Sequence, residues 1–185
     1  MTLKKFFKII SSLVLVLTLI GNITYAYSLD DVKQDYKKVK IKKHSGVTDA
    51  GRKINWREGK IMKLQTPTNG NLTVLTFYLY ELPNSKYVDV ELYHNNPRYA
   101  FWDRLTLGDG KRAYDVLPAT IPKRGSDGAG WIVEKLTFRI NNRTDFFKWK
   151  NAVQIRAKGQ NYYTDFVIKK EYPDVMRVIE KFLFE

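Results

Sequence analysis

Two acidic side chains, Asp89 and Glu91, are spaced as a pair of carboxylates for acid–base chemistry would be spaced. They lie two positions apart in a segment that alternates apolar and polar residues, so both belong to one face of a predicted strand. At a rise of about 3.3 Å per residue the two carboxylates are about 7 Å apart, within the range of roughly 5 to 9.5 Å that glycoside hydrolysis uses. Alternating acids are also typical of the solvated face of a strand. A hydrolase with paired carboxylates is therefore an alternative function.

The other common catalytic groups are scarce. The chain has no cysteine, which excludes a thiolate nucleophile, and its two histidines, His44 and His94, are too isolated to indicate a zinc site. No serine after residue 26 lies in the Gly-x-Ser-x-Gly turn of esterases. We therefore predict a non-enzymatic protein with no catalytic residue, no metal site and no cofactor.

The strongest charge signal is a basic segment from Lys37 to Lys63. It contains ten Lys or Arg residues and two acids, in a chain whose formal net charge is +13. Such a local excess attracts anionic partners at low ionic strength. We predict a basic patch formed by Lys37, Lys38, Lys40, Lys42, Lys43, Arg52, Lys53, Arg57, Lys60 and Lys63. Three aromatic residues are candidates for stacking on a ligand, namely Tyr36, Trp56 and Trp102.

The same lysines also have a structural interpretation. From Lys37 onward Val39 and Ile41 alternate with lysines, which indicates a strand. Lysines on an edge strand prevent edge-to-edge aggregation. A further alternative is a structural subunit in which Val39 and Ile41 lie on an unpaired edge that pairs with a partner chain.

The first 26 residues have the organisation of a secretory signal peptide. Lys4, Lys5 and Lys8 precede an apolar run from Ile9 to Ile20, and this run is shorter than the roughly 20 residues that a membrane-spanning helix needs. The small residues around Ala26 predict cleavage after that position. We therefore expect a protein that is secreted, periplasmic or associated with the cell surface, with no transmembrane segment after cleavage.

Export determines which anionic partners the basic patch can reach. Nucleic acid is the familiar ligand of a basic surface, but we do not expect it as the physiological partner of an exported protein. We expect instead an anionic polymer or glycan of the cell envelope, or a protein partner.

Residues 27–185 are long enough for one domain, and we predict a single domain over this range. Disulfides are excluded because there is no cysteine. The fold therefore depends on its apolar core, for which 12 Tyr, 10 Phe and 4 Trp residues supply large side chains.

Alternating hydrophobicity predicts that this domain is all-β. The segment from Trp131 to Lys170 is the clearest, because it contains three predicted strands, the first of which has Glu134 on the same face as Leu136 and Phe138. The segment from Leu72 to Leu82 is apolar on both faces, which predicts a central strand covered on both sides.

Turn and cap signals delimit the remaining elements. We predict a hairpin turn at residues 57–60, an irregular loop at residues 118–130, and a helical turn at residues 145–150 capped by Thr144. Ser28 and Pro173 mark the starts of an N-terminal and a C-terminal helix. The pattern of eight to ten short strands predicts a two-sheet antiparallel sandwich, an architecture that includes immunoglobulin-like folds, with these two helices. A barrel, or an α+β sheet with one helical layer, is the alternative.

Overall fold

The computed structural model describes residues 26–67, 72–97, 100–126, 128, 130–160 and 162–185. These residues form an all-β sandwich of two antiparallel sheets with three helices, which confirms the predicted fold class. The immunoglobulin-like form of the sandwich stays a prediction. The predicted signal peptide, apart from Ala26, lies outside the described residues.

Ten strands and three helices make up the described chain. The strands are β1 Lys40–Val47, β2 Lys53–Gln65, β3 Leu72–Leu82, β4 Ser85–Asn96, β5 Trp102–Gly108, β6 Ala113–Val116, β7 Lys123–Ser126, β8 Ile132–Ile140, β9 Gln154–Gly159 and β10 Tyr163–Phe166. The helices are α1 Leu29–Asp35, α2 Arg143–Lys150 and α3 Tyr172–Phe184.

The larger sheet has six strands in the order β1-β2-β3-β4-β8-β7, and the smaller has four in the order β10-β9-β5-β6. β1 to β4 follow one another as neighbours, because each is joined to the next by a short connection. α2 carries the chain from β8 in the large sheet to β9 in the small sheet, so the predicted crossover is confirmed.

The core lies between one face of the large sheet and a layer formed by the small sheet and the helices. Phe77, Val90 and Phe138 are register neighbours on β3, β4 and β8, and all are fully buried. α3 contacts β4 and the other two helices, and its apolar side follows the helical period, as expected for a helix docked on a core. This confirms the predicted C-terminal helix.

The N-terminal helix α1 has the predicted cap. Ser28 accepts a hydrogen bond from the backbone of Asp31, and the Asp31 carboxylate accepts one from the backbone N–H of Ser28 at 2.8 Å. This reciprocal capping box satisfies amides that a short helix would otherwise leave unpaired. Leu29 and Val32 are buried and hold α1 on the core.

The predicted hairpin at residues 57–60 is wrong, because β2 runs through it without a turn. Gly59 serves close packing there, since an added Cβ would lie 2.8 Å from a methyl carbon of Leu29. A β-bulge between Lys60 and Met62 then changes which residues face the core. Trp56 and Met62 therefore lie on opposite faces of one strand instead of facing each other across a hairpin.

Two further boundaries differ from the sequence prediction. The stretch predicted as an irregular loop contains β7, which pairs with β8 in the register Arg124 to Glu134. Helix α2 is capped by Asn142 and not by Thr144, because the Asn142 side chain accepts the backbone N–H of Asp145 at 2.9 Å. The first difference arises because all four residues of β7 are exposed, so the strand has no alternating apolar pattern, and a competing cap residue explains the second.

A buried carboxylate joins the two sheets. Glu134 of β8 is fully buried and accepts hydrogen bonds from the backbone N–H groups of Ala100 at 2.8 Å and Phe101 at 3.2 Å. Arg124 of β7 completes this arrangement, since its Nε donates to Glu134 at 2.9 Å and a terminal nitrogen donates to the carbonyl of Trp102 at 2.8 Å. The start of β5 in the small sheet is thereby fixed to β7 and β8 of the large sheet.

Candidate functional site

The face of the large sheet that points away from the core is the candidate site, and we call it the open face. Side chains of a strand alternate between faces, so the open-face residues lie between the core residues of β1 to β4 and β8. The register places one row of these residues straight across the sheet, in the order Lys40, Lys60, Tyr78, Asp89 and Arg139. The small sheet and the helices lie on the other side.

Four lysines of the predicted basic patch are brought together at one side of the open face. We call Lys40, Lys42, Lys60 and Lys63 the lysine cluster; the first two lie on β1 and the others on β2. Lys40 is the direct register partner of Lys60, although like charges at such positions repel each other. The described residues hold no carboxylate within ion-pair distance of any of the four.

The one acid beside the lysine cluster is directed elsewhere. Glu58 is the register partner of Lys42, yet its carboxylate lies 3.7 Å from Nε2 of His44 and accepts a hydrogen bond from the Tyr80 hydroxyl at 3.3 Å. The charge of the lysine cluster is therefore not neutralised by an adjacent ion pair.

Three tyrosines adjoin the lysine cluster, and we call Tyr78, Tyr80 and Tyr87 the tyrosine platform. The rings of Tyr80 and Tyr87 are stacked with centroids 5.0 Å apart, and those of Tyr78 and Tyr80 are 6.5 Å apart. The Arg139 guanidinium lies 4.0 Å from the centroid of the Tyr87 ring. All three tyrosines are half-buried. The prediction that β3 is covered on both sides therefore holds for residues 73–77 and not for the part of the strand that carries Tyr78 and Tyr80.

The hydroxyls of the tyrosine platform stay protonated. Burial, followed by the charges of Glu58 and Asp89, raises the pKa of Tyr80 well above its ordinary value. Burial also raises the pKa of Tyr78 and of Tyr87. The platform therefore presents neutral phenols, which both donate and accept hydrogen bonds.

Trp56, a predicted aromatic residue, lies at one end of the open face. Its ring stacks on that of His44 with centroids 5.2 Å apart and an angle of 12° between the planes. Gly46 permits this position, since an added Cβ would lie 3.1 Å from the Trp56 ring. The stack extends the aromatic surface beyond the tyrosine platform.

The other two predicted aromatic residues lie away from the open face. Tyr36 ends α1 and packs half-buried against the core. The structure corrects the prediction that Trp102 stacks on a ligand. Trp102 is buried in the core, with its ring 5.4 Å from that of His94. A bulge between Trp102 and Arg104 turns Trp102 to the same side as the core residue Leu105, which the alternating pattern alone does not reveal.

The six remaining cations of the predicted patch are dispersed. Lys37 and Lys38 lie in the turn after α1, and Lys43, Arg52 and Lys53 are exposed on or beside the first two strands. Arg57 points to the core side, where it forms ion pairs with Asp30 at 2.6 Å and with Glu81. The structure therefore brings four of the ten predicted cations to the open face.

A groove of about 1000 Å³ lies at the end of the large sheet and is lined by residues of both faces, including His44 and Trp56 of the open face. Its charged residues form one row across four strands, from Lys43 through Arg57 and Glu81 to Lys86. Arg57 is neutralised by its two carboxylates, and Lys86 donates to the carbonyl of Tyr27 at 2.6 Å. This groove therefore offers less free charge than the open face.

The two carboxylates proposed for hydrolysis lie on the open face and are both paired with cations. Asp89 receives two hydrogen bonds from Arg139, at 2.8 and 3.0 Å, and Glu91 forms an ion pair with Lys135. They belong to a sheet face flanked by basic residues and not to the deep cleft that would favour a hydrolase. This geometry does not favour the alternative function.

Sequence reasoning did not identify the tyrosine platform. Tyr78 and Tyr80 are part of a continuous apolar and aromatic run, in which the outward residues cannot be separated from core residues by composition. The available signal is their spacing of two, which places both on the face opposite Phe77 and Leu79. Their contact with Tyr87 depends on the register of β3 and β4.

β1 is an edge strand of the large sheet, as predicted. Val39 is buried and Ile41 is half-buried against the core, so both contribute to packing in this chain. No group of three or more His, Asp or Glu residues suited to a metal ion occurs in the ranges that the structure covers. Among those ranges, no helix is both long enough and apolar enough to cross a membrane.

Comparison with known proteins gives no relative. No protein-family model matches the chain, and no curated protein or solved structure is significantly similar to it.

Proposed function

We propose that this is an exported, non-enzymatic protein that binds an anionic polysaccharide of the cell envelope through its open face. The observation that carries the proposal is the state of the ten basic residues between Lys37 and Lys63. Nine of them make no ion pair within the described residues, and Arg57 is the exception.

Basic residues after residue 63 form ion pairs more often than those of the basic patch. Nine Lys or Arg residues after residue 63 form ion pairs with carboxylates: Arg104, Arg124, Lys135, Arg139, Lys148, Lys150, Arg156, Arg177 and Lys181. About half of the described basic residues after residue 63 are therefore paired, against one of the ten in the basic patch. Cations that are left unpaired next to one another keep their attraction for an external anion.

The tyrosine platform favours a polysaccharide over other polyanions. A sugar has an apolar C–H face and a rim of hydroxyl groups, and a tyrosine ring has an apolar face and a polar tip. Neutral hydroxyls on Tyr78, Tyr80 and Tyr87 match the hydroxyl rim, while the adjacent lysine cluster matches carboxylates or other anionic groups on the chain.

The dimensions of the open face suit an extended polymer. Neighbouring strands lie about 4.8 Å apart, so four strands span about 14 Å, and open-face residues of one strand are about 7 Å apart. Several sugar residues of one chain can therefore contact the lysine cluster and the tyrosine platform at once. Repeated weak contacts of this kind add up to firm binding.

Retention on immobilised polygalacturonate, a polymer with one carboxylate per sugar, tests the proposal. The full chain is expressed in an exporting bacterial host and its mass is measured, with residues 27–185 expected as the product. Changing Lys40, Lys42, Lys60 and Lys63 to Gln is expected to weaken retention at low salt strongly, because the unpaired charges of the open face are lost.

A charge-matched control separates the open face from the total charge. Lys33, Lys111, Lys169 and Lys170 are exposed and form no ion pair within the described residues, and their change to Gln removes the same four charges. This control variant is expected to be retained like the wild type. Equal loss in both variants would show that only net charge matters and would overturn the assignment to the open face.

A further inference from the structure

A second concave site lies on the outward face of the small sheet. It is a cavity of about 280 Å³ to which Arg104, Arg156, Lys158, Gln160, Tyr162 and Tyr163 contribute side chains. That volume is close to the lower end of the range found for small-ligand pockets. The cavity therefore has room for one sugar residue.

The register explains why these side chains converge. Arg104 of β5, Lys158 of β9 and Tyr163 of β10 form one row across three neighbouring strands. Ile155 and Ala157 of β9 are buried between the sheets, so Arg156 and Lys158 point outward. The cavity and the open face are therefore on opposite outer faces of the sandwich.

The charged groups that line the cavity are all cationic. Arg156 is oriented by two hydrogen bonds to Asp165, at 2.8 and 2.9 Å, which use its Nε and one terminal nitrogen. Its other terminal nitrogen remains available, because a guanidinium has five N–H donors. Lys158 forms no ion pair among the residues that the structure describes.

The neighbourhood of the cavity is nevertheless close to neutral. Arg104 lies 3.1 Å from Asp103 and 3.6 Å from Asp115, and Arg156 is paired with Asp165. Attraction here depends on directed donors and not on an extended positive field. Binding at this cavity is therefore expected to be much less sensitive to salt than binding at the lysine cluster.

Two exposed aromatic rings border the cavity. Tyr163 is 68% exposed and Tyr162 is 48% exposed. The Arg156 guanidinium lies 4.5 Å from the centroid of the Tyr163 ring. Exposed tyrosines beside Lys and Arg donors form a surface on which a sugar ring can stack while its carboxylate is bound.

We propose that this cavity is a second glycan site, which takes one carboxylated sugar residue with its ring on Tyr163 and its carboxylate at Lys158. The choice of ligand rests on the proposed function, because the same polymer class is assumed. Two sites on opposite outer faces allow one protein molecule to hold two polymer chains. The protein would then cross-link the polymer.

Titration with digalacturonate tests the second site directly. The backbone amide resonances of Gly159 and Gln160 are followed by NMR at about 50 mM and about 500 mM salt, and are expected to shift at both. The variant carrying Lys158→Gln and Tyr163→Ser is expected to bind at least about tenfold more weakly, a loss of about 1.4 kcal/mol. The exposed control Lys169→Gln is expected to behave like the wild type. Equal affinity of the double variant and the wild type would overturn the proposal.

Light scattering with polygalacturonate tests cross-linking. At about 50 mM salt the wild type is expected to form large complexes at intermediate protein-to-polymer ratios, because each molecule joins two chains. The Lys158→Gln/Tyr163→Ser variant is expected to bind the polymer without this rise. A rise equal to that of the wild type would contradict a bridging role.

The two proposals fail in different ways. If the lysine-cluster variant is retained on polygalacturonate like the wild type while Gly159 and Gln160 still shift, the assignment to the open face is wrong and the second site stands. If the lysine-cluster variant loses retention while these amides do not respond to digalacturonate, the reverse holds.

Discussion

Lys40 of β1 and Lys60 of β2 are direct register partners on the open face, without a carboxylate in ion-pair distance of either among the described residues. Two like charges at such positions destabilise a sheet. Evolution commonly keeps unfavourable arrangements where they serve a function. The pair therefore links the stability of this sheet to the proposed binding of an anionic polymer.

The first prediction concerns this pair. Lys60→Glu replaces the repulsion from Lys40 with attraction, so we expect a free energy of unfolding about 0.2 to 1 kcal/mol higher than that of the wild type. The same change is expected to weaken retention on polygalacturonate. Urea unfolding and the retention assay measure the two effects. A variant that is less stable and binds normally would contradict the account of this pair.

The second prediction separates the ring of Tyr80 from its hydroxyl. Tyr80→Phe keeps the stack on Tyr87 and loses the hydrogen bond to Glu58, so we expect most of the polymer affinity to remain. Tyr80→Ser removes the ring and is expected to weaken binding severalfold. Affinity is measured for both variants by calorimetry with polygalacturonate. Equal affinities of the two variants would exclude the ring from the binding surface.

The third prediction concerns the buried carboxylate of Glu134. Glu134→Gln replaces an acceptor of three hydrogen bonds with a neutral amide, and hydrogen bonds to charged groups contribute about 1.5 to 3 kcal/mol each. We expect the free energy of unfolding to fall by about 2 to 4 kcal/mol, measured by urea unfolding. The half-buried Glu171, whose side chain forms no cap hydrogen bond, gives the matched control Glu171→Gln. A difference below about 0.5 kcal/mol between the two variants would show that Glu134 is not essential for joining the sheets.

The fourth prediction concerns acid stability. Hydrogen bonding from Arg156, together with its charge, holds the pKa of Asp165 below its ordinary value of 3.8. A lowered folded pKa means that ionised Asp165 stabilises the fold above the ordinary value, and that this contribution is lost as the pH falls through the folded value.

Asp165→Asn is therefore expected to reduce the free energy of unfolding at pH 7 and to flatten its dependence on pH between about pH 5 and pH 2. Urea unfolding at several pH values measures both effects. Asp49, which is exposed and forms no ion pair in the described part of the chain, provides the control Asp49→Asn. A pH dependence unchanged from the wild type in Asp165→Asn would contradict the role of the Arg156 pair.

Much of the fold can be predicted from the sequence, because the alternation of apolar and polar residues and the helix caps are local signals. β8, β9 and α3 follow from the spacing of residues such as Leu136, Ile155 and Phe182 alone. Ser28 identifies the start of α1 in the same way. The sandwich then follows from the number of strands and the turn signals between them.

The errors arise where a local signal has a long-range cause. Gly59 is typical of a turn in the sequence. In the structure a glycine is required there because a Cβ would clash with Leu29 of α1. The bulges after Lys60 and after Trp102 change which face of the sheet the neighbouring side chains occupy. The register with the paired strand reveals each bulge, and the sequence alone does not. β7 is exposed along its whole length, so its sequence carries no apolar alternation, and only its pairing with β8 reveals it as a strand.

The sequence predicts the positive charge of the candidate site but not which residues form the site. The excess of lysine is visible in the sequence, whereas the choice of Lys40, Lys42, Lys60 and Lys63 depends on the register of β1 and β2 and on the bulge. The neighbouring tyrosines come from β3 and β4, which follow the basic segment in the chain. Their position beside the lysine cluster follows from the register of β2 and β3, in which Lys60 is paired with Tyr78.

Co-sedimentation of the purified protein with isolated cell envelopes, at about 50 mM and about 500 mM salt, tests the central claim most directly. The screening length falls from about 14 Å to about 4 Å over this range. We predict that the wild type and the charge-matched control pellet at low salt and are largely released at high salt, while the variant with Gln at positions 40, 42, 60 and 63 pellets much less than either at low salt. Equal pelleting of all three proteins at low salt would contradict the claim that the open face binds the envelope.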